Sequence, residues 1–198
     1  MPAAARGSRC RGQGGVMDEE TPATTRHRVF FALWPDEALR DGLARLARSL
    51  RGGRPVPRGH LHLTLAFAGL VTAEQVACLQ RAAAGVRAPA FTLRLQTLGG
   101  FARARVAHVA PDEQDLPPAL PELAGQLNRA LVACGVPAER RGFRPHVTLR
   151  RDARPPRPRS VSLPEWSVDR FVLVESGDRG RPGPYRVLAE WLLQRSTE

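Results

Sequence analysis

The chain has 198 residues, enough for one domain with a substantial core or for two small lobes. At 42% hydrophobic and 25% charged it has a soluble globular composition, and no apolar run approaches the ~20 residues of a membrane-spanning helix, so a helical membrane protein is excluded. The formal net charge of +11 invites a polyanionic partner, but all 30 basic residues are Arg, which is also what coding bias in a GC-rich genome produces, so the charge permits RNA binding without establishing it.

Residues 1–25 are small, polar and charged and have no hydrophobic period. They lack the apolar core of a secretory signal, and Asp18, Glu19 and Glu20 argue against a mitochondrial presequence. A disordered leader is expected there, with Met17 as an alternative start. Residues 26–195 are then expected to form one catalytic domain of two lobes. The cysteines, Cys10, Cys78 and Cys134, are odd in number and contain no Cys-x-x-Cys. Neither a disulfide framework nor a zinc site is expected, and a reducing cytoplasm fits.

Residues 28–33 read as a first strand. A helix follows from 36 to 51, with Pro35 in its first position, Asp36 and Glu37 at the positive end of its dipole, and Leu39, Leu43, Leu46 and Leu50 at helical spacing. After the Pro-rich turn at 54–58, a strand is expected from 60 to 67, ended by Gly69. Thr72 and Gln75 have capping-box spacing for a second helix reaching about Gly85. Residues 91–98 alternate apolar and polar and read as a strand broken by Gly99 and Gly100, and 105–110 as another. Leucines at 120, 123, 127 and 131 mark a third helix over 117–134, stopped by Gly135. Strands at 144–151, 168–176 and 185–193 complete the chain, with a Pro/Arg loop at 153–160 and a Gly/Pro turn at 177–184. Strands outnumber helices without a βαβ rhythm, so the class is α+β with mainly antiparallel sheets.

Two of these strands carry the same tetrad. One reads His62-Leu63-Thr64-Leu65 and the other His146-Val147-Thr148-Leu149. In a strand, residues i and i+2 share a face, so each copy presents an imidazole beside a hydroxyl. Each copy also follows its own long helix, which suggests two similar lobes facing across a groove. Two histidines titrating near neutrality can take a proton from a water and give one to a leaving oxygen. Thr64, Thr148 and an arginine are suited to hold a phosphate as its charge grows. Arg151 lies five residues past His146, on the opposite face of an ideal strand, and reaches the groove only if the strand ends or bulges; Arg150 is the alternative. His60 and His62 are alternative metal ligands, but no Cys or carboxylate cluster completes a set. His27 and His108 read as ordinary strand or surface histidines.

Taken together, the chain resembles the 2H phosphoesterases, named for two His-x-Thr motifs, and within them the RNA 2′,3′-cyclic phosphodiesterase family, historically called 2′-5′ RNA ligases. The features are R-V-F-F-A-L-W-P-D at 28–36, H-L-T-L-A-F at 62–67, G-G-F at 99–101, F-R-P-H-V-T-L-R-R at 143–151, F-V-L-V-E-S at 171–176 and Y-R-V-L at 185–188. The resemblance implies a bilobal, pseudo-twofold α+β fold with two mainly antiparallel sheets facing a central groove and helices outside. It implies hydrolysis of a terminal 2′,3′-cyclic phosphate to a 2′-phosphate with no metal or other cofactor, and 2′-5′ ligation in reverse by microscopic reversibility. His62 and His146 correspond to the catalytic pair, Thr64 and Thr148 to phosphate binders, Arg151 to the arginine after the second motif, and Phe67 to an aromatic that stacks on a terminal base. His62 is taken as the acid and His146 as the base, although the residues leave the reverse open. His108 stands where relatives commonly carry a larger apolar or aromatic residue. The expected partners are RNA ends bearing a cyclic phosphate, or small cyclic nucleotides, acted on by a monomer. A non-catalytic RNA-end binding module is the other reading of the same groove.

Overall fold

The computed structural model describes residues 26–137, 139, 141–178 and 181–194. The expected leader at 1–25 lies outside the described residues. The first strand, β1 (His27–Leu33), leads into helix α1 (Glu37–Ser49). Asp36 is the N-cap and accepts from the Leu39 N–H at 2.8 Å, so Pro35 precedes the cap instead of opening the helix. Leu39, Leu43 and Ala47 on one face of α1 are buried, and each leucine contributes about 1.5–3 kcal/mol of burial.

A two-residue strand, β2 (Arg54–Pro55), and a 3₁₀ turn at Arg58–His60 lead to β3 (Leu63–Val71). β3 runs past Gly69, contrary to the expectation that this glycine ends the strand. At φ +74°, Gly69 instead forms a bulge, which a residue without Cβ adopts at little cost. Helix α2 (Ala73–Ala83) starts with the expected capping box, in which Gln75 N–H donates to Thr72 Oγ1 and Thr72 N–H to Gln75 Oε1.

The strand expected over 91–98 is two. β4 (Phe91–Leu93) pairs with β9 (Trp166–Val168) in a small separate sheet, whereas β5 (Thr97–Phe101) joins the main one. Gly99 and Gly100 lie inside β5 and do not break it. A Cβ on Gly100 would meet the Val106 carbonyl oxygen at 2.2 Å, so glycine is required there by close backbone approach. β6 (Val106–Ala110) and helix α3 (Ala119–Ala133) follow, and the chain turns away at Gly135, φ +70°. β7 (Val147–Arg151), β8 (Arg159–Ser160), β10 (Arg170–Asp178) and β11 (Arg181–Leu192) complete the structure. Much of the turn expected at 177–184 is therefore strand, and residues 179–180 lie outside the described residues.

The main sheet has the order β11-β10-β1-β3-β7-β6-β5-β8, with β2 attached to β7, and its neighbours run antiparallel. Its two halves meet at one register pair, Leu63 opposite Val147. The halves repeat a strand–helix–strand unit: β1-α1-β3 in one and β6-α3-β7 in the other. The helices are exchanged, since α1 packs on β7 and α3 on β3. One apolar core holds Phe31, Leu33, Leu63 and Leu65 together with Leu123, Leu127, Val147 and Leu149, so the helix face of the sheet is common to both halves. The opposite face forms the groove.

Cys78, in α2, and Cys134, the C-cap of α3, form a disulfide, contrary to the expectation of no disulfide framework. An odd count and the lack of a Cys-x-x-Cys do not show that two helices bring distant thiols together. Cysteine usage therefore no longer argues for a reducing compartment. Among the described residues no helix is long and apolar enough to cross a membrane.

Candidate active site

Both motif histidines sit one residue before their strands, not within them. His62 Nδ1 lies 2.7 Å from the His60 carbonyl oxygen, and His146 Nδ1 lies 2.7 Å from that of Arg144. A carbonyl only accepts, so each Nδ1 carries the proton and donates it. Each neutral ring thereby keeps its lone pair on Nε2, the nitrogen left for acid–base work. Two equivalent backbone bonds orient two equivalent rings.

The residues after each histidine follow the same pattern. Thr64 pairs with Ala32 across the β1–β3 ladder, and Thr148 pairs with His108 across β6–β7. Both threonines are half-buried on the groove face, while Leu63, Leu65, Val147 and Leu149 point into the core. Next comes an irregularity at the fourth residue of each tetrad. Phe31 and Ala32 face Ala66 and Thr64, which leaves Leu65 as an extra residue. Ala107 and His108 face Arg150 and Thr148, which leaves Leu149 as the extra one. A bulge of one residue reverses the alternation beyond it. The fifth residue after each histidine, Phe67 or Arg151, is thus returned to the groove face.

This separates the two arginines. Arg150 turns to the helix side, where its guanidinium donates to the carbonyls of Ala47 (2.8 Å), Gly52 (2.6 Å) and Gly53 (2.9 Å) at the end of α1. Arg151 remains exposed and lines a cleft with Arg54, Val56, His60 and Tyr185. Its neighbour Asp152 is occupied by Arg54 through two bonds, at 2.6 and 3.0 Å, and Arg151 has no ion pair among the described residues. Its charge is felt by both His62 and His146. Burial, outweighing the backbone bond that favours protonation, pushes His62 down to about 4, and His146 is lowered for the same reason.

Phe67 is 39% exposed, with the Arg28 guanidinium carbon 5.1 Å from its ring centre. Several groove residues lie outside the two His-x-Thr tetrads. Around His62 stand Phe30 (4.8 Å between ring centres), Tyr185 (5.4 Å) and Trp34 (6.0 Å), and His60 stacks on Tyr185 at 4.1 Å. Around His146 stand Phe101 (5.0 Å) and His108 (5.2 Å). His108 is buried, not a surface residue. His27 lies apart, bonded at 2.6 Å to the buried Glu175, which Arg186 also binds. Nothing in residue spacing joins Tyr185 to His60; only the tyrosine's place in a short family-like run marked it. The alternative of His60 and His62 as metal ligands finds no support, because His60 lies in the 3₁₀ turn stacked on Tyr185. Among the described residues no group of three or more His, Cys, Asp or Glu could hold a metal ion.

This antiparallel α+β frame, with one His-x-Thr strand from each half opening on a shared groove, defines a phosphoesterase of the two-histidine class. Residues 33–110 and 109–183 each match the family model described as LigT like phosphoesterase. The chain belongs to that family. The RNA 2′,3′-cyclic phosphodiesterase of Escherichia coli (strain K12) is 35% identical over 176 residues, covering 84% of this chain and 96% of the relative. That of Thermus thermophilus is 32% identical over 185 residues, covering 84% and 90%. The crystal structure of E. coli LigT in apo form superposes with a TM-score of 0.73 at 33% identity, covering 86% of this chain and 99% of the other. The complex of E. coli LigT with 3′-AMP gives 0.73 at 32% identity, covering 85% and 98%.

Proposed function

We propose that the protein is an RNA 2′,3′-cyclic phosphodiesterase that opens a terminal cyclic phosphate to a 2′-phosphate. The observation that carries this reading is the pair of imidazoles held alike, each by an Nδ1–H to a backbone carbonyl, with the Arg151 charge acting on both. Relatives named RNA 2′,3′-cyclic phosphodiesterase at 35% and 32% identity support the substrate class.

In the proposed reaction, His146 Nε2 takes a proton from water as its oxygen attacks phosphorus. The bond to the 3′ oxygen breaks, and His62 gives that oxygen its proton. Arg151 and the hydroxyls of Thr64 and Thr148 hold the non-bridging oxygens as their charge grows. Burial keeps both imidazoles neutral at pH 7, so a bound phosphate anion must raise His62 before it can act as the acid. Phe67 is the proposed stacking surface for the terminal base. Ligation through a 2′-5′ linkage would use the same residues, with an RNA 5′-hydroxyl in place of water as the nucleophile and the 3′ oxygen again leaving.

The test is hydrolysis of an RNA oligonucleotide ending in a 2′,3′-cyclic phosphate, in the presence of EDTA. A 2′-phosphate product is expected from the wild type, and at least 100-fold loss in His62→Ala and in His146→Ala, at the lower end of the usual general acid–base contribution. Full activity in both variants would refute the reading, and a 3′-phosphate product would refute the assigned leaving group. Replacing the 3′ oxygen by sulfur removes the need for an acid. Rescue of His62→Ala alone is expected, and rescue of His146→Ala instead would reverse the roles. Binding of a 2′-phosphorylated oligonucleotide without turnover of the cyclic one would favour a binding module.

A further inference from the structure

The two half-sites match at the histidine, the threonine and the bulge, but they differ in what stands across from the threonine. Thr64 and Thr148 occupy equivalent ladder positions beside the same kind of bulge. Across from Thr64 stands the methyl group of Ala32, whereas across from Thr148 stands an imidazole, His108. Directly opposite side chains in an antiparallel pair lie about 4.5–5.5 Å apart at Cβ, so one small group can touch both. On its other side His108 faces Gly99 in β5, where a Cβ would sit only 3.8 Å from the ring's Cε1. Phe101 and His146 flank it, at 4.4 and 5.2 Å between ring centres. His108 is 8% exposed, and its Nδ1 is sealed from solvent with no hydrogen-bond partner.

That orphaned nitrogen determines the tautomer. Burying an unpaired N–H forfeits a donor with no compensation, so the proton belongs on the other nitrogen. Burial also holds the ring neutral, pushing it down to about 4. His108 is then an Nε2–H tautomer, the reverse of His62 and His146. The catalytic rings, when neutral, offer a lone pair to the groove, whereas His108 offers a hydrogen-bond donor.

We propose that His108 is a substrate-contacting residue of the second half-site, whose Nε2–H binds the same non-bridging phosphate oxygen as the Thr148 hydroxyl. This rests on the phosphoesterase reading of the groove. It also adds to the asymmetry that Phe67 and Arg151 give the groove, because the first half-site has only Ala32 at the equivalent place. A neutral donor suits the site better than a third cation, since a charge there would repel the protonated form of His146.

Three measurements test the proposal. The first is the tautomer, read from the imidazole ¹⁵N resonances: two Nδ1–H rings at His62 and His146 and one Nε2–H ring at His108 are expected. An Nδ1–H ring at His108 overturns the proposal. The second needs no turnover and uses inorganic phosphate as the probe. Saturating phosphate is expected to shift the His108 Nε2–H resonance in the wild type, and an unmoved resonance overturns the proposal even if the protein proves not to be a cyclic phosphodiesterase. The third is kinetic, on the cyclic-phosphate oligonucleotide. His108→Phe keeps the aromatic packing and removes the donor, and is expected to lower kcat about 10- to 100-fold with a smaller change in KM. His108→Gln restores an N–H and is expected to recover most of that loss, with the pH limbs set by His62 and His146 unmoved. Wild-type kcat in His108→Phe, or equal loss in the Phe and Gln variants, overturns the proposal.

Discussion

Arg150 and Arg151 are adjacent, identical and both near the second motif, so substituting each in turn isolates what a one-residue bulge does. Arg150→Ala removes three hydrogen bonds from a charged donor to carbonyls at the end of α1. Hydrogen bonds to charged groups are worth about 1.5–3 kcal/mol each when shielded, but two of these three are exposed, so the expected loss is nearer 2 kcal/mol in total. For a chain of this length that lowers Tm by about 4–8 °C, while kcat/KM changes less than threefold. Arg151→Ala removes the unpaired charge beside both imidazoles and no internal ion pair among the described residues. Its expected signature is the opposite: Tm within about 2 °C of wild type and kcat/KM down about 10²–10³-fold, as for loss of one preorganised donor to developing charge. Thermal unfolding followed by circular dichroism, with steady-state kinetics on the cyclic-phosphate oligonucleotide, reads both quantities. Equal kinetic loss in the two variants, or a stability loss confined to Arg151→Ala, would refute the assignment of the two arginines to opposite faces.

Stability should fall with acid through the groove histidines. His62 and His108 are held at about 4 in the folded protein, below the usual 6.5. Between these values the unfolded chain binds more protons than the native one, so stability rises with pH across that window and is lost as pH drops from about 6.5 toward 4. The Tm of His62→Gln should therefore change less between pH 7 and pH 4.5 than that of the wild type, and an identical slope in both would show that His62 is not buried in its neutral form. Phe67→Ala should raise KM for an RNA end about 5- to 150-fold, corresponding to about 1–3 kcal/mol of base stacking, with little change in Tm because the ring is partly exposed and outside the core. An unchanged KM for RNA would remove Phe67 from the binding surface.

Much of this structure is written in local chemistry. Leucine spacing and caps located α1, α2 and α3, because an amphipathic face and its end groups are set by residues within a few positions of one another. The paired tetrads exposed the two half-sites, since the i, i+2 rule of a strand needs no tertiary information. The expectations failed where one segment depends on another distant in sequence. Gly100 is glycine because the Val106 carbonyl comes close, so it sits within a strand that a local reading ends there. Cys78 and Cys134 are joined only because α2 and α3 pack together.

The groove shows the same division most clearly. By itself the sequence determined that His62, Thr64, His146 and Thr148 form two matched pairs, because matching is a property of local pattern. It did not decide which arginine faces the groove, that Phe67 shares a face with His62, or that His108 adjoins His146. Those follow from two bulges and from the ladder pairings of β3 with β1 and of β7 with β6. A strand's alternation is read from its own residues, but the place where it slips by one is set by the partner strand, and every side chain beyond the slip changes face.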